Sequence, residues 1–352
     1  MNLLRYSLIT SIACTACLSV AKSQTTATTD PVGFVTTTIK GVITPGVAVT
    51  TPISPVLMVA SGIDGSTVGA ITGVTSNSVS LSSANWTVSQ LPTSLAYVMF
   101  KSGALEGLVL RVTANTSTVA TLDTLNADLT TLGALVGDQI QLVQGDTVLS
   151  MFGTTADGVV GGTQAQFTAG QTDKVTTRDA SGATRTYWYN TGVTPNRWSR
   201  VGSATDQGST PVSPLSAVFY SRIGATAINQ LSTGNVPVTS VKYLVPQNGI
   251  TYLSRFFPTD GTINSYGFQS LPGWKGTNTP GVTISTADKV VTTDTTGTVR
   301  QYYWTGTQWR RAGSNTDQST TPVPTGGGVY VSRSGTVGSP AQLLNISLPY
   351  SL

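Results

Sequence analysis

D-K-V-T-T-R-D-A-S-G-A-T-R-T-Y-W-Y occupies residues 173–189, and D-K-V-V-T-T-D-T-T-G-T-V-R-Q-Y-Y-W occupies residues 288–304. After a four-residue difference in length, R-W-S-R-V-G-S-A-T-D-Q at 197–207 returns as Q-W-R-R-A-G-S-N-T-D-Q at 308–318, and the match runs on to residues 224 and 335. The chain therefore carries a duplicated module, the same side chains being wanted in both copies. Each copy reads as an antiparallel meander. In the first, strands over 175–178 and 183–190 flank the turn Asp179-Ala180-Ser181-Gly182, and a third strand covers 197–202. The second copy runs 290–293, a turn at 294–297, then 298–304 and 308–313. A further strand follows each Thr-Pro-Val loop, over 218–222 or 329–333. Alternating Thr, Val, Tyr and Trp suit a pleated, half-buried surface. Such units are expected to pack as antiparallel, sandwich-like sheets, which makes the chain all-β.

Working outward, the composition agrees. Of 352 residues only 10% are charged, while 37 Gly and 17 Pro supply frequent turns. A formal net charge of +4 without a Lys/Arg cluster gives no footprint for nucleic acid. The first 23 residues have the three parts of a secretory signal, with Arg5, an apolar run over 6–20, and small residues before Gln24. That run is too short to span a bilayer, and no later segment is long and apolar enough to do so. Both cysteines, Cys14 and Cys17, lie inside the signal, so the exported chain is expected to hold no thiol and to depend on its core for stability.

Residues 31–136 read as a separate amino-terminal β region with strands over 32–39, 55–60, 67–74, 95–101 and 105–113. Turn signals stand at Thr44-Pro45-Gly46, Asp64-Gly65 and Ser102-Gly103. The stretch 95–100 is apolar on both faces and is expected to be a central strand. Leucines at 122, 125, 129 and 132, with Asp123 ahead and Gly133 behind, predict one short helix over 124–132. A weaker echo, T-V-L-S-M-F at 147–152 against T-Y-L-S-R-F at 251–256, places the repeat units at 137–235 and 236–352.

The stretches P-V-G-F-V-T at 31–36, S-G-A-L-E-G-L at 102–108, N-A-D-L-T-T-L-G-A-L-V-G-D-Q-I at 126–140 and T-V-L-S-M-F carry a resemblance. Together they resemble a group of secreted, uncharacterised, paralogue-rich bacterial β-proteins typical of the Verrucomicrobia. The resemblance implies export and a β-rich fold, and it carries over no catalytic residue.

Histidine is absent from the whole chain, which removes Ser-His-Asp and Cys-His catalysis and histidine metal sites in their common forms. Beyond the signal the chain has one glutamate, Glu106, and its aspartates sit largely in turn contexts such as Asp157-Gly158 and Asp260-Gly261. A two-carboxylate glycosidase or a calcium site at Asp157 and Asp260 would draw on these groups, but turn chemistry is the better expectation. No cofactor or metal is expected. The most suggestive set is the repeated Arg and aromatic residues. Arg185, Tyr187 and Tyr189 share a strand face, as do Arg300, Tyr302 and Trp304, with Trp198 and Arg200 or Trp309 and Arg311 on the next strand. They form either a saccharide platform or an aromatic ladder within the sheet, and the ladder is preferred. Asp206 with Arg222 and Asp317 with Arg333 are candidates for a repeated ion pair. The expectation is an exported, non-catalytic structural or adhesive protein of the cell surface, extracellular or periplasmic, whose partner is another copy or a surface polysaccharide. The alternative is carbohydrate binding through the Arg and aromatic faces.

Overall fold

The computed structural model describes residues 31–54, 59–60, 68–178 and 183–351. The first 23 residues with Cys14 and Cys17, and the positions of the expected Asp64-Gly65 turn, the start of the expected 55–60 strand and the expected turn at 179–182, lie outside these residues.

The duplication is realised as two copies of one three-sheet unit, all antiparallel. The first five-stranded sheet runs in the order Arg197–Arg200, Thr184–Asn190, Lys174–Arg178, Val218–Arg222, Val49–Ile53. The second runs Trp309–Arg311, Val299–Trp304, Lys289–Thr293, Gly328–Ser334, Asn248–Ser254. Two ribbons accompany each sheet. In the first unit Val32–Ile39 pairs with Ile228–Asn235, and Asp146–Thr147 with Pro211–Val212; in the second, Val241–Val245 pairs with Gln342–Ile346, and Gly261–Thr262 with Pro322–Val323. The registers agree. Val218 faces Ile53 and Arg222 faces Val49, just as Val329 faces Leu253 and Arg333 faces Gly249.

A shared cap fixes the correspondence at the start of each unit. Thr147 N donates to Ser150 Oγ at 2.8 Å and Ser150 N donates to Thr147 Oγ1 at 2.9 Å. Thr262 and Ser265 repeat the exchange at 3.0 and 3.2 Å. The two residues satisfy each other's otherwise orphaned amides, and the residue after each Thr, Val148 or Ile263, is fully buried. This corrects the alignment of 147–152 with 251–256: the counterpart of Thr147 is Thr262, because Val148–Phe152 is a helical turn whereas Thr251 lies in the strand Asn248–Ser254. It follows that Val49–Ile53 is the true counterpart of Asn248–Ser254, and that the first unit is interrupted by the amino-terminal β body.

That body is a curled eight-stranded sheet in the order Val59–Ala60, Gln139–Gln144, Ala96–Phe100, Val109–Asn115, Val119–Leu122, Ser78–Ser80, Gly73–Val74, with Gly69–Ala70 also pairing Gln139–Gln144. Sheet connectivity thus redraws the limits 31–136 and 137–235. Ala96–Phe100 is a central strand, as its two apolar faces require: Ala96, Val98 and Phe100 enter one core and Tyr97 another. The helix expected over 124–132 is not formed. Leu125 and Asn126 take left-handed φ values of 50° and 65°, which break a helix at its first turn. The segment is instead a chain of tight turns tied to the sheet, with Leu129 N donating to Ser76 O at 2.9 Å. Leu122 and Leu129 are buried and Leu125 and Leu132 pack beside them, so the spacing reflects a loop laid across a core. The described α-helices are single turns, Gln90–Thr93, Val148–Phe152 and Gln164–Thr168.

The two units contact each other reciprocally. Ser54 N donates to Gly326 O at 2.8 Å, and its counterpart Ser254 N donates to Leu215 O, the counterpart of Gly326, at 3.0 Å. Such an exchange of equivalent groups is the mark of an approximate two-fold axis. At that axis Phe219 packs edge-on against Tyr252 and Tyr330 at 5.6 and 5.4 Å. The equivalent positions Ala217 and Gly328 also meet there, and a Cβ on Gly328 would lie only 2.4 Å from that of Ala217. Gly328→Ala is therefore expected to push the two sheets apart and lower stability by about 1–3 kcal/mol, the usual range for overpacking. Urea unfolding of that variant beside Ala217→Gly with Gly328→Ala, which restores the space, checks it; equal losses in both would be contrary.

Candidate functional site

Cross-strand register brings the Arg and aromatic residues together as the sequence suggests. Tyr187 faces Arg200, Tyr189 faces Trp198, Tyr302 faces Arg311 and Trp304 faces Trp309. The face they share, however, is the inward one. Tyr187, Trp198, Tyr302 and Trp309 are all at most 2% exposed, Tyr189 is buried, and Trp304 is half-buried against the same core as Trp309. In the first unit the helical turn Val148–Phe152 covers that face. Trp198 Nε1 donates to Gly153 O at 2.9 Å, and Phe152 packs on Trp198 and Tyr220 at 6.2 and 5.2 Å between ring centres. In the second unit Trp274 and Trp304 pack on Trp309 at 5.8 and 5.6 Å. These residues form an aromatic ladder in the core rather than a flat exposed platform. Arg185, Arg200 and Arg311 are half-buried at its rim, and Arg300 Nε donates to Asp294 Oδ2 at 2.7 Å.

The repeated ion pair exists with a different carboxylate. Arg222 Nη1 lies 2.7 Å from Asp173 Oδ2, and Arg333 Nε lies 3.2 Å from Asp288 Oδ2, both pairs almost wholly buried. Asp206 and Asp317 instead accept from Gly208 N and Ser319 N at 2.8 Å, holding turns. The carboxylates of the buried pairs are fully engaged. Asp173 also accepts from Val160 N, Tyr220 OH and Ile223 N at 2.9, 2.8 and 2.8 Å, and Asp288 accepts from Lys275 N and Ser334 N at 3.1 and 2.9 Å. Burial, with the Asp173 charge beside it, pushes the Tyr220 hydroxyl far above the usual phenol range. These are tertiary locks joining the last strand of each sheet to the segment that precedes the meander, and both aspartates are 1% exposed. Turn chemistry also accounts for the remaining aspartates considered as ligands: Asp157 Oδ2 accepts from Thr154 N at 2.8 Å, and Asp260 Oδ1 from Thr325 N at 2.8 Å. Among the described residues no three acidic, histidine or cysteine side chains converge as a metal site.

A site that the sequence does not show lies where the three β bodies meet. A cleft of about 330 Å³ is lined by Tyr97, Leu110, Arg111 and Asp123 of the amino-terminal body, Arg178, Ser213 and Ser216 of the first unit, and Thr251 and Tyr252 of the second. Arg111 stands opposite Tyr97 on the neighbouring strand, and its Nη2 lies 3.5 Å from Asp123 Oδ2, both side chains about a third exposed. Burial pushes the Tyr97 hydroxyl up to about 12, against the lowering effects of the Arg111 charge and a hydrogen bond with Ser213. Burial likewise raises Tyr252, opposed by a hydrogen bond with Thr184 and the Arg178 charge. A smaller cavity of about 120 Å³ continues on the far side of Tyr97, Arg111 and Pro211. Arg111 interrupts the apolar run L-V-L-R-V, and that lone charge is the one signal in the sequence that points here.

No protein-family model matches the chain, and neither a curated protein nor a solved structure matches it. Among the described residues no helix is long and apolar enough to cross a membrane.

Proposed function

We propose that the chain is an exported, non-catalytic structural subunit of the cell surface whose copies pair through the ribbon Val32–Ile39/Ile228–Asn235. The observation that carries this reading is the unequal treatment of two equivalent ribbons. In the second unit, Val241–Val245 and Gln342–Ile346 are covered by the amino-terminal body: Lys242 N donates to Gly107 O at 3.0 Å, Ala341 N to Leu125 O at 3.2 Å, and Leu244 enters that body's core. In the first unit the corresponding outer face exposes Val32, Phe34 and Leu231 at 75%, 74% and 63%.

Its remaining members are Thr36, Thr38, Asn229, Thr233 and Asn235, so the face carries no charge. An uncharged, half-apolar face lacks complementarity for a charged partner and suffers no like-charge repulsion against itself, which favours an isologous contact between two copies. Among the described residues, Val32–Ile39 pairs with no strand besides Ile228–Asn235, and between Pro31 and Lys40 it holds neither of the proline and lysine guards common on edges. Phe34→Asp with Leu231→Asp, both exposed, should convert a self-associating chain into a folded monomer with an unchanged circular dichroism spectrum. Light scattering at matched concentrations reads the difference, and an unaltered mass would overturn the assignment of this face.

A further inference from the structure

We propose that the cavity between the ribbon Val32–Ile39/Ile228–Asn235 and the helical turn Val148–Phe152 binds an organic ammonium ion, a protonated primary amine on an apolar body, with Asp157 as its counter-ion. The inference does not rest on self-association. Three observations select this site and this ligand class.

The first is a difference between the two copies. The cavity measures about 320 Å³, within the span of ligand pockets, roughly 300–1,000 Å³. Counted from the shared cap, Met151 in its wall corresponds to Tyr266. Tyr266 is 1% exposed and stacks on Phe268 at 4.9 Å between ring centres. Its hydroxyl donates to Ser254 O at 3.4 Å, and the hydroxyl of Tyr243, from the second ribbon, donates to the same carbonyl at 3.1 Å. The second unit thus fills the space between ribbon and turn with aromatic rings, whereas the first places the half-buried, flexible Met151 there. A core that forgoes packing in one copy gives up stability, and a ligand that binds only the folded chain restores it.

The second is charge. Asp157 is the only acidic or basic side chain in the cavity lining, and among the described residues no Lys or Arg forms an ion pair with it. Its Oδ2 accepts from Thr154 N and Thr154 Oγ1 at 2.8 and 3.3 Å, while Oδ1 accepts no hydrogen bond among the described residues. Gln230 adds a further acceptor. Its Nε2 donates to Met151 O at 2.9 Å, and its Oε1 is buried without a hydrogen-bond partner among the described residues. An ammonium group carries three donors and no acceptor, and its bond to a carboxylate belongs to the stronger, charge-assisted kind.

The third is the wall. Met151, Phe152, Tyr220 and Ile228 give apolar surface for a hydrocarbon body. Asp157 is exposed whereas Phe152 and Tyr220 are buried, so an amine would enter body first and leave its charge at Asp157.

The test is calorimetric titration of the chain from Gln24 onward with phenethylamine, protonated at neutral pH, and with 2-phenylethanol, ammonium chloride and calcium chloride. Saturable binding of phenethylamine is expected, with the neutral alcohol and both simple cations weaker by about tenfold or more, the worth of one hydrogen bond to a charged group. Asp157→Asn keeps an oxygen for Thr154 N and removes the charge, so it should lose about tenfold or more in affinity. Met151→Tyr, which gives the first unit the residue of the second, should abolish binding and remains readable even where Asp157→Asn fails to fold. Absence of binding, equal binding of the alcohol or of either simple cation, or full affinity in either variant would overturn the proposal. Phe34 is not part of the cavity lining, so Phe34→Asp should bind phenethylamine unchanged, which separates this outcome from that for self-association.

Discussion

Asp288→Asn is expected to lower the stability of the chain by about 3–5 kcal/mol, the range found when one partner of a buried ion pair is removed. The variant keeps the shape of the side chain and removes its charge, leaving the Arg333 guanidinium, 4% exposed as a residue, without its counter-ion. Arg333 has little else to turn to. Its Nη2 donates to Pro272 O at 3.0 Å, while Nη1 is already buried without a hydrogen-bond partner among the described residues. The amide also presents an NH₂ where Lys275 N and Ser334 N both point donors at the carboxylate, so one of those amides loses its acceptor. Asp173→Asn should cost at least as much, because Asp173 additionally accepts from Tyr220 OH at 2.8 Å. Chemical denaturation measures both. A loss below about 1 kcal/mol, the level of an exposed pair, would contradict the assignment of these residues as locks.

Trp309→Ala and Trp198→Ala should each cost about 3–5 kcal/mol, the usual price of emptying a large aromatic site in a packed core. The sharper expectation concerns phenylalanine. Trp198 Nε1 donates to Gly153 O at 2.9 Å, whereas Trp309 Nε1 has no hydrogen-bond partner among the described residues. Trp198→Phe removes volume and also strands a carbonyl that holds the covering helical turn, while Trp309→Phe removes volume alone. Trp198→Phe is therefore expected to be the more damaging by about 1 kcal/mol, the net worth of a typical hydrogen bond. A surface platform would respond otherwise: all four changes would leave the urea midpoint nearly untouched.

Much of the fold is legible in the sequence because the meander is written twice, and strand alternation, turn residues and cross-strand partners such as Tyr189 with Trp198 follow from periodicity. Which face of that sheet points inward is not legible. Parity places Arg185, Tyr187 and Tyr189 together, but only the position of the helical turn at 148–152 decides that this face is closed. The leucines at 122–132 illustrate the same limit: a loop that lays apolar side chains on a curved sheet can mimic a helical period, and the left-handed Leu125 and Asn126 leave no mark in composition. The interruption of the first unit was hidden for a different reason. Val49–Ile53, followed by Ser54, and its counterpart Asn248–Ser254 share a register and an equivalent serine rather than a sequence, since each is specified by what it packs against. The junction cleft belongs to the same class of feature, because its lining side chains come from three bodies far apart in the chain.

Copies of this chain are proposed to meet face to face through the outer surface of the first ribbon. Thr36 sits near the middle of that surface, opposite Leu231, and the sequence contains no cysteine besides Cys14 and Cys17. A single thiol placed there by Thr36→Cys reports directly on whether two such faces come together. Under mild oxidation the chain from Gln24 onward should form a disulfide-linked dimer rapidly and nearly completely, while the likewise exposed Thr336→Cys control stays largely monomeric. Cross-linking no faster at position 36 than at position 336 would contradict the account.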